Sequence, residues 1–200
     1  AGNVFAQFNV GFRLESMGDL TGAVKYYRIA AENGSDDGQF SLGCCLQTGQ
    51  GIPKDHGEAV RWFKLAASQG NSDAQVKLGE CYNKGLGVVK DLKEAVKWFS
   101  LASDQGNCDG QLQLGLRLIS GDGVTAKNST EGAKLLAAAA GQGSALAQHS
   151  LGLCHEKGDG VPRDAEEAIK WYTLAADQGL SDALDAVERL RSAEPADRKS

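Results

Sequence analysis

Asn71–Gly106, NSDAQVKLGECYNKGLGVVKDLKEAVKWFSLASDQG, decides the fold, because most of the chain is this stretch written again. Its closing Gln-Gly pair stands at Gln69-Gly70, Gln105-Gly106, Gln142-Gly143 and Gln178-Gly179, with Asn33-Gly34 as a divergent first copy. The closing glycines are 36, 36, 37 and 36 residues apart. A fixed period of that size marks a solenoid of stacked supersecondary units. Inside the stretch, Ala74, Leu78, Cys81 and Tyr82 share one face of a helix over Ser72–Lys84. Asn71 or Ser72 caps its start, and Gly85-Leu86-Gly87 stops it. After a short loop anchored by Val88, Asp91 and Glu94 read as a capping box that opens a second helix, Leu92–Asp104. Its inward side carries Ala95, Trp98, Phe99 and Ala102. Each unit is therefore a helix–loop–helix hairpin.

Aligning the copies tests that reading. A small residue stands at Ala6, Gly38, Ala74, Gly110 and Ala147, four residues before an apolar-glycine pair: Val10-Gly11, Leu42-Gly43, Leu78-Gly79, Leu114-Gly115 and Leu151-Gly152. A mid-helix glycine costs about 1 kcal/mol against alanine, so five at one position imply a close approach of the hairpin's own second helix. The Gly-x-Gly loop recurs at Gly49/Gly51, Gly85/Gly87, Gly121/Gly123 and Gly158/Gly160, and the second cap at Asp55, Asp91, Asn128 and Asp164. The large core residue is expected at Tyr26, Trp62, Trp98, Leu135 and Trp171. The extra residue of the fourth copy falls between Val124 and Asn128, in a loop.

These linked motifs, small-x-x-x-Leu-Gly, Gly-x-Gly-Val, Asp-x-x-Glu-Ala, Trp-x-x-x-Ala-Ala and Gln-Gly, resemble the Sel-1-like repeat family, a relative of the tetratricopeptide repeats. The match is close over 35–179 and looser over 1–34 and 180–191. The resemblance implies an all-α, right-handed superhelical solenoid used as a protein-interaction scaffold, and it implies no particular ligand. Some bacterial members carry two cysteines per repeat that bridge one hairpin; this chain lacks the second of them, so that feature does not carry over.

The expected organisation is an atypical first repeat at 1–34, repeats at 35–70, 71–106, 107–143 and 144–179, a capping helix at 180–191, and a disordered tail at 192–200. Glu188 replaces the repeat's glycine, which suits a terminal helix with no partner behind it. Net charge is −5 with no basic run, which disfavours nucleic acid and anionic membrane surfaces. No apolar run is long enough to span a bilayer. The start at Ala1-Gly2, without methionine or a signal-like segment, reads as a piece of something longer, either monomeric or part of a multidomain chain.

Of five cysteines, Cys45, Cys81 and Cys154 occupy one repeat position. Equivalent points on stacked helices lie about 8–10 Å apart, beyond disulfide reach. All five are expected to be free and to serve as small buried apolar residues; Cys108 begins a helix, a place that can favour a thiolate. Unpaired thiols fit a reducing compartment, the cytoplasm first, leaving the endoplasmic reticulum lumen or a secreted location open. His56, His149 and His155 sit at three unrelated repeat positions, so neither metal nor cofactor is expected. Asn33-Gly34-Ser35 and Asn128-Ser129-Thr130 match the glycosylation sequon. With no nucleophile–base set, the chain reads as a non-catalytic scaffold or adaptor. A structural spacer and a groove-sited enzyme are the alternatives.

Where the copies differ is where function should lie. In tetratricopeptide repeats the first helix of each hairpin lines the concave face. Carried over by register, that lining comprises Phe8, Phe12 and Glu15; Phe40, Cys44 and Gln47; Val76, Glu80 and Asn83; Leu112, Leu116 and Ile119; and His149, Leu153 and Glu156. Nine of the fifteen are apolar. The expected partner is a protein or peptide, held mainly at the aromatic N-terminal end.

Overall fold

The computed structural model describes residues 4–193. All eleven helices among the described residues are 13 residues long. The chain divides into two compact units. The first, ending at Gln105, holds α1 (Val4–Ser16), α2 (Leu20–Glu32), α3 (Asp36–Thr48), α4 (His56–Ser68), α5 (Ser72–Lys84) and α6 (Leu92–Asp104). The second, from Gly106, holds α7 (Cys108–Ser120), α8 (Ser129–Gly141), α9 (Ala145–Lys157), α10 (Ala165–Asp177) and α11 (Ser181–Ala193). The last helix runs two residues past the boundary expected at 191; residues 1–3 and the rest of the expected tail lie outside the described residues.

Helix length is set by caps at both ends. Asn71 accepts from the Ala74 amide and Asp91 from those of Lys93 and Glu94, and Asp55, Asn128 and Asp164 make the corresponding bond in their own hairpins. The capping box is only half made. The cap residue's own amide, expected to go to the glutamate, instead donates to the end of the preceding helix: Asp55 to Leu46 O, Asp91 to Tyr82 O and Asp164 to His155 O, at 2.9–3.0 Å. That bond closes the loop and frees the glutamate. Glu58 then takes Arg28 and the Trp62 indole, while Glu94, Glu131 and Glu167 pair with the lysine three residues on. The second loop glycine serves more than a helix stop. Gly87 sits at φ +70° with its α-carbon so close to α4 that a Cβ would stand 2.1 Å from His56 O.

Each hairpin closes on the glycine of its first helix. A Cβ on Gly79 would meet the Phe99 ring at 2.6 Å, and Gly43 faces Phe63, Gly11 Tyr27 and Gly152 Tyr172 in the same way. In the fourth hairpin Gly115 lies against the Gly132 carbonyl and Leu136. The core position is therefore Tyr27, Phe63, Phe99, Leu136 and Tyr172, one residue later than expected from the tryptophans. Phe99 is 0% exposed, whereas Trp62, Trp98 and Trp171 lie half-buried. A planar phenyl ring slides over a bare glycine; an indole is too broad for that gap and lies along the flank.

Successive hairpins inside a unit pack second helix to first, α2 on α3 and α4 on α5, then α8 on α9 and α10 on α11. A glutamine follows the small residue of each first helix, and it links the hairpins. Gln75 is buried, donates to Ala67 O of the preceding hairpin at 3.2 Å, and accepts from Gln105 of its own at 2.8 Å. Gln39 and Gln148 repeat both bonds, Gln111 accepts from Gln142, and Gln7 accepts from Asn33. The Gln-Gly signature is thus one half of an amide pair, and Asn33 plays the same part in the first copy. On the terminal helix, Ala183, Ala186 and Val187 pack against Ala168, Tyr172 and Ala175, and Glu188 points outward.

Two substitutions separate the ring from its neighbour. Phe99→Ala is expected to cost about 3–5 kcal/mol, the range for emptying a large buried site, and Trp98→Ala clearly less. Gly79→Ala, which drives a methyl into the same ring, is expected to cost about 1–3 kcal/mol. Urea melts of the three variants give the order directly, and Trp98→Ala as the worst of them contradicts this packing.

Candidate partner-binding surface

Register placed fifteen residues on the inner face of the first helices, and their burial divides them into three groups. At the first position Phe8, Phe40 and His149 are half-buried because each lies on the core ring of its own hairpin. Ring centroids are 5.8 Å apart for Phe8–Tyr27, 6.2 Å for Phe40–Phe63 and 5.2 Å for His149–Tyr172. Val76 and Leu112 at this position are 4% and 3% exposed, so the structure corrects their placement: they belong to the interior. A smaller aliphatic chain sinks where a second ring must stand proud.

The second position is the accessible one. Phe12 is 60% exposed and Leu116 38%, while Cys44, Glu80 and Leu153 are half-buried. Glu80 is ion-paired with Lys77 at 3.3 Å.

The third position answers the core ring. Tyr27 donates its hydroxyl to Glu15, and Tyr172 donates to Glu156 at 2.8 Å. Where the ring is Phe63, Gln47 replaces the glutamate and its amide points to Cys81 Sγ at 3.6 Å. The Phe99 hairpin has Asn83, and the Leu136 hairpin has Ile119. A buried phenol needs an acceptor and a phenyl does not; the pairing is visible in the sequence once the right core position is known. Glu156 also receives both arms of Arg189 from α11, at 2.7 and 2.9 Å. Those bonds, helped by the Tyr172 hydroxyl, hold the Glu156 carboxyl below its ordinary value against the opposing effect of burial.

In the first unit, Phe8, Phe12, Phe40 and Cys44 come together around a depression of about 350 Å³. Its rim carries Glu15, Asp37 and Asp73. The other half of the predicted set, Leu116, Ile119, His149 and Leu153, belongs to the second unit. A larger depression of about 690 Å³ lies elsewhere in the first unit, between α4 and the loop at Gly87-Val88. Sequence reasoning did not anticipate it. Its floor includes Trp62 and its carboxylates include Asp55 and Glu58, which are already committed to a cap, an indole and Arg28. A counterpart of about 390 Å³ around Trp171 in the second unit is mainly apolar in its lining.

Among the described residues no three His, Cys, Asp or Glu side chains converge on an ion position. The five cysteines are unpaired. Burial pushes the Cys45, Cys81 and Cys154 thiols up to about 11 and Cys44 to about 12. Cys108 is raised too, by burial and then by the neighbouring Asp109, so its place at a helix start does not favour the thiolate. No helix among the described residues is long and apolar enough to cross a membrane.

Hairpins of fixed length, an interior closed by glycine–ring contacts and an inner face left to vary define a helical repeat of the interaction-scaffold class. The sequence profile described as Sel1 repeat matches 4–35, 36–71, 72–107, 108–144 and 145–180, and the chain belongs to the Sel1 repeat family. Repeats of this family generally mediate protein–protein interaction. Among solved structures the chain is similar to a Sel1 repeat protein from Oxalobacter formigenes, at 33% identity and a TM-score of 0.85, covering 92% of this chain and 75% of that one. It is also similar to c5321, a protective antigen of uropathogenic Escherichia coli with an SLR fold, at 32% identity and a TM-score of 0.86. That match covers 98% of this chain but 43% of the antigen, so the chain spans less than half of its length. A Sel1 repeat protein from Klebsiella pneumoniae, 18% identical with a TM-score of 0.61, shares the fold. No curated protein sequence matches.

Two measurements check the electrostatics. A carboxyl held low in the folded chain contributes stability that is complete above its ordinary value and lost as pH falls through the depressed one. Arg189→Ala is therefore expected to lower the melting temperature at neutral pH, with the gap to wild type closing as pH is taken from about 7 to about 3. Alkylation of unreduced protein in denaturant, read by mass spectrometry, is expected to modify all five thiols.

Proposed function

We propose that the chain is a non-catalytic adaptor that holds a peptide or extended partner segment against the inner face of its first helices, chiefly at the aromatic depression of the first unit. One observation carries the reading: Phe12 keeps 60% of its surface exposed beside Phe8 and Phe40. The repeat does not require an aromatic there, since the other copies have Cys44, Glu80, Leu116 and Leu153 at that position. An exposed phenyl ring without an architectural reason, set beside two half-buried ones, marks an interaction site. The α4 depression supports the reading less well, because Trp62 is the one aromatic ring in its described lining. Membership in an interaction-repeat family is consistent with the proposal and leaves the partner unspecified.

Proteins retained by the wild type, by Phe12→Ala and by Leu116→Ala can be compared by quantitative mass spectrometry. Phe12→Ala is expected to keep its helicity and lose specific captures; Leu116→Ala is expected to lose few. If both variants retain what the wild type retains, the inner face is not the site.

A further inference from the structure

The depression of the first unit is lined by phenyl rings and carboxylates together, and that combination selects a chemistry. Its lining includes the phenyl rings of Phe8, Phe12 and Phe40 and the carboxylates of Glu15, Asp37 and Asp73. Among the described residues lining it there is neither lysine nor arginine. Lys77, close enough to act on the Cys44 thiol, is held by Glu80 at 3.3 Å. Asp36 adds a further carboxylate beside Asp37; both are drawn to the Asn71 side-chain amide, at 3.2 and 3.4 Å. Negative charge is thus concentrated there, and the Asp37 carboxyl is raised by burial, then by Asp36 and Asp73.

A wholly apolar segment laid over this site would displace water from the carboxylates and offer them no donor. An acidic segment is repelled. A cation satisfies both parts. A guanidinium suits them better than an ammonium, because it is flat, weakly hydrated, stacks on aromatic faces and presents a fork of N–H donors to carboxylates.

Building on the adaptor reading above, we propose that the depression receives an arginine side chain of the partner segment, its plane against the phenyl rings and its N–H edge towards the acidic part of the lining, at Asp37. The carboxylates set the specificity and the rings supply the contact area. Glu15 already accepts the Tyr27 hydroxyl and belongs to the fold as well as to the rim.

The test uses the full chain and two fluorescein-labelled pools of short peptides, with randomised apolar residues flanking either a central arginine or a central glutamine. Fluorescence anisotropy is expected to give about tenfold tighter binding for the arginine pool. Asp37→Asn combined with Asp73→Asn, both on the helix surface, is expected to reduce that preference to about threefold or less. Phe12→Ala is expected to weaken both pools, with circular dichroism confirming that each variant stays folded. Equal binding of the two pools, still sensitive to Phe12→Ala, overturns the arginine assignment and leaves the adaptor site standing. Binding that Phe12→Ala does not change overturns both. Failure of the wild type to bind either pool also overturns the arginine assignment.

Discussion

A bare glycine on the first helix of each hairpin faces a fully buried side chain on the second, and the rest of the repeat is arranged around that contact. At Gly79 the room left for a Cβ is 2.6 Å from the Phe99 ring, far inside any real carbon–carbon contact. The absence of one methyl lets the helices close until a flat ring fills the gap. The same ring fixes what its neighbours can be. Phe8, Phe40 and His149 lie against it from the inner side, and Trp62, Trp98 and Trp171 are left on the flank. The inner face of the first helices is therefore partly a by-product of the core, and Phe12, a turn further on, is free of that duty.

Polar groups follow the same economy. Each buried glutamine of the first helix takes up a carbonyl at the end of the preceding hairpin and is itself held by the closing glutamine of its own. An apolar residue there would break both links and leave the carbonyl only the amide of the closing glycine, as Gly70 N to Ala67 O at 3.1 Å. The loops are also closed through the backbone, because the cap residue's amide returns to the helix just finished.

Much of this was legible in the sequence. Period, hairpins, caps and the reason for the mid-helix glycine all follow from 36-residue spacing and helix chemistry. The core position was misplaced by one residue, since tryptophan outweighs phenylalanine and tyrosine in any reading by bulk, and bulk is the wrong measure of a gap shaped for a plate. Val76 and Leu112 were assigned to the surface for a related reason: register gives direction, but depth depends on the size of the side chain. The glutamine pairs were seen only as punctuation. Their partners lie 30 or 31 residues away, beyond any local window, although both members recur in every full copy from the second to the fifth.

The link between Tyr27 and Glu15, and between Tyr172 and Glu156, bears on how such a chain can be rearranged. The phenol stands on the second helix and its acceptor on the first, so a hairpin is a matched set. Splicing the second helix of the fifth copy onto the first helix of the third would put a buried hydroxyl opposite Asn83 instead of a glutamate. A crossover in the inter-hairpin turn, after Gln-Gly, keeps every such match. Lineages that gain or lose repeats should therefore do so in whole hairpins, with their joints where the glutamine pairs meet.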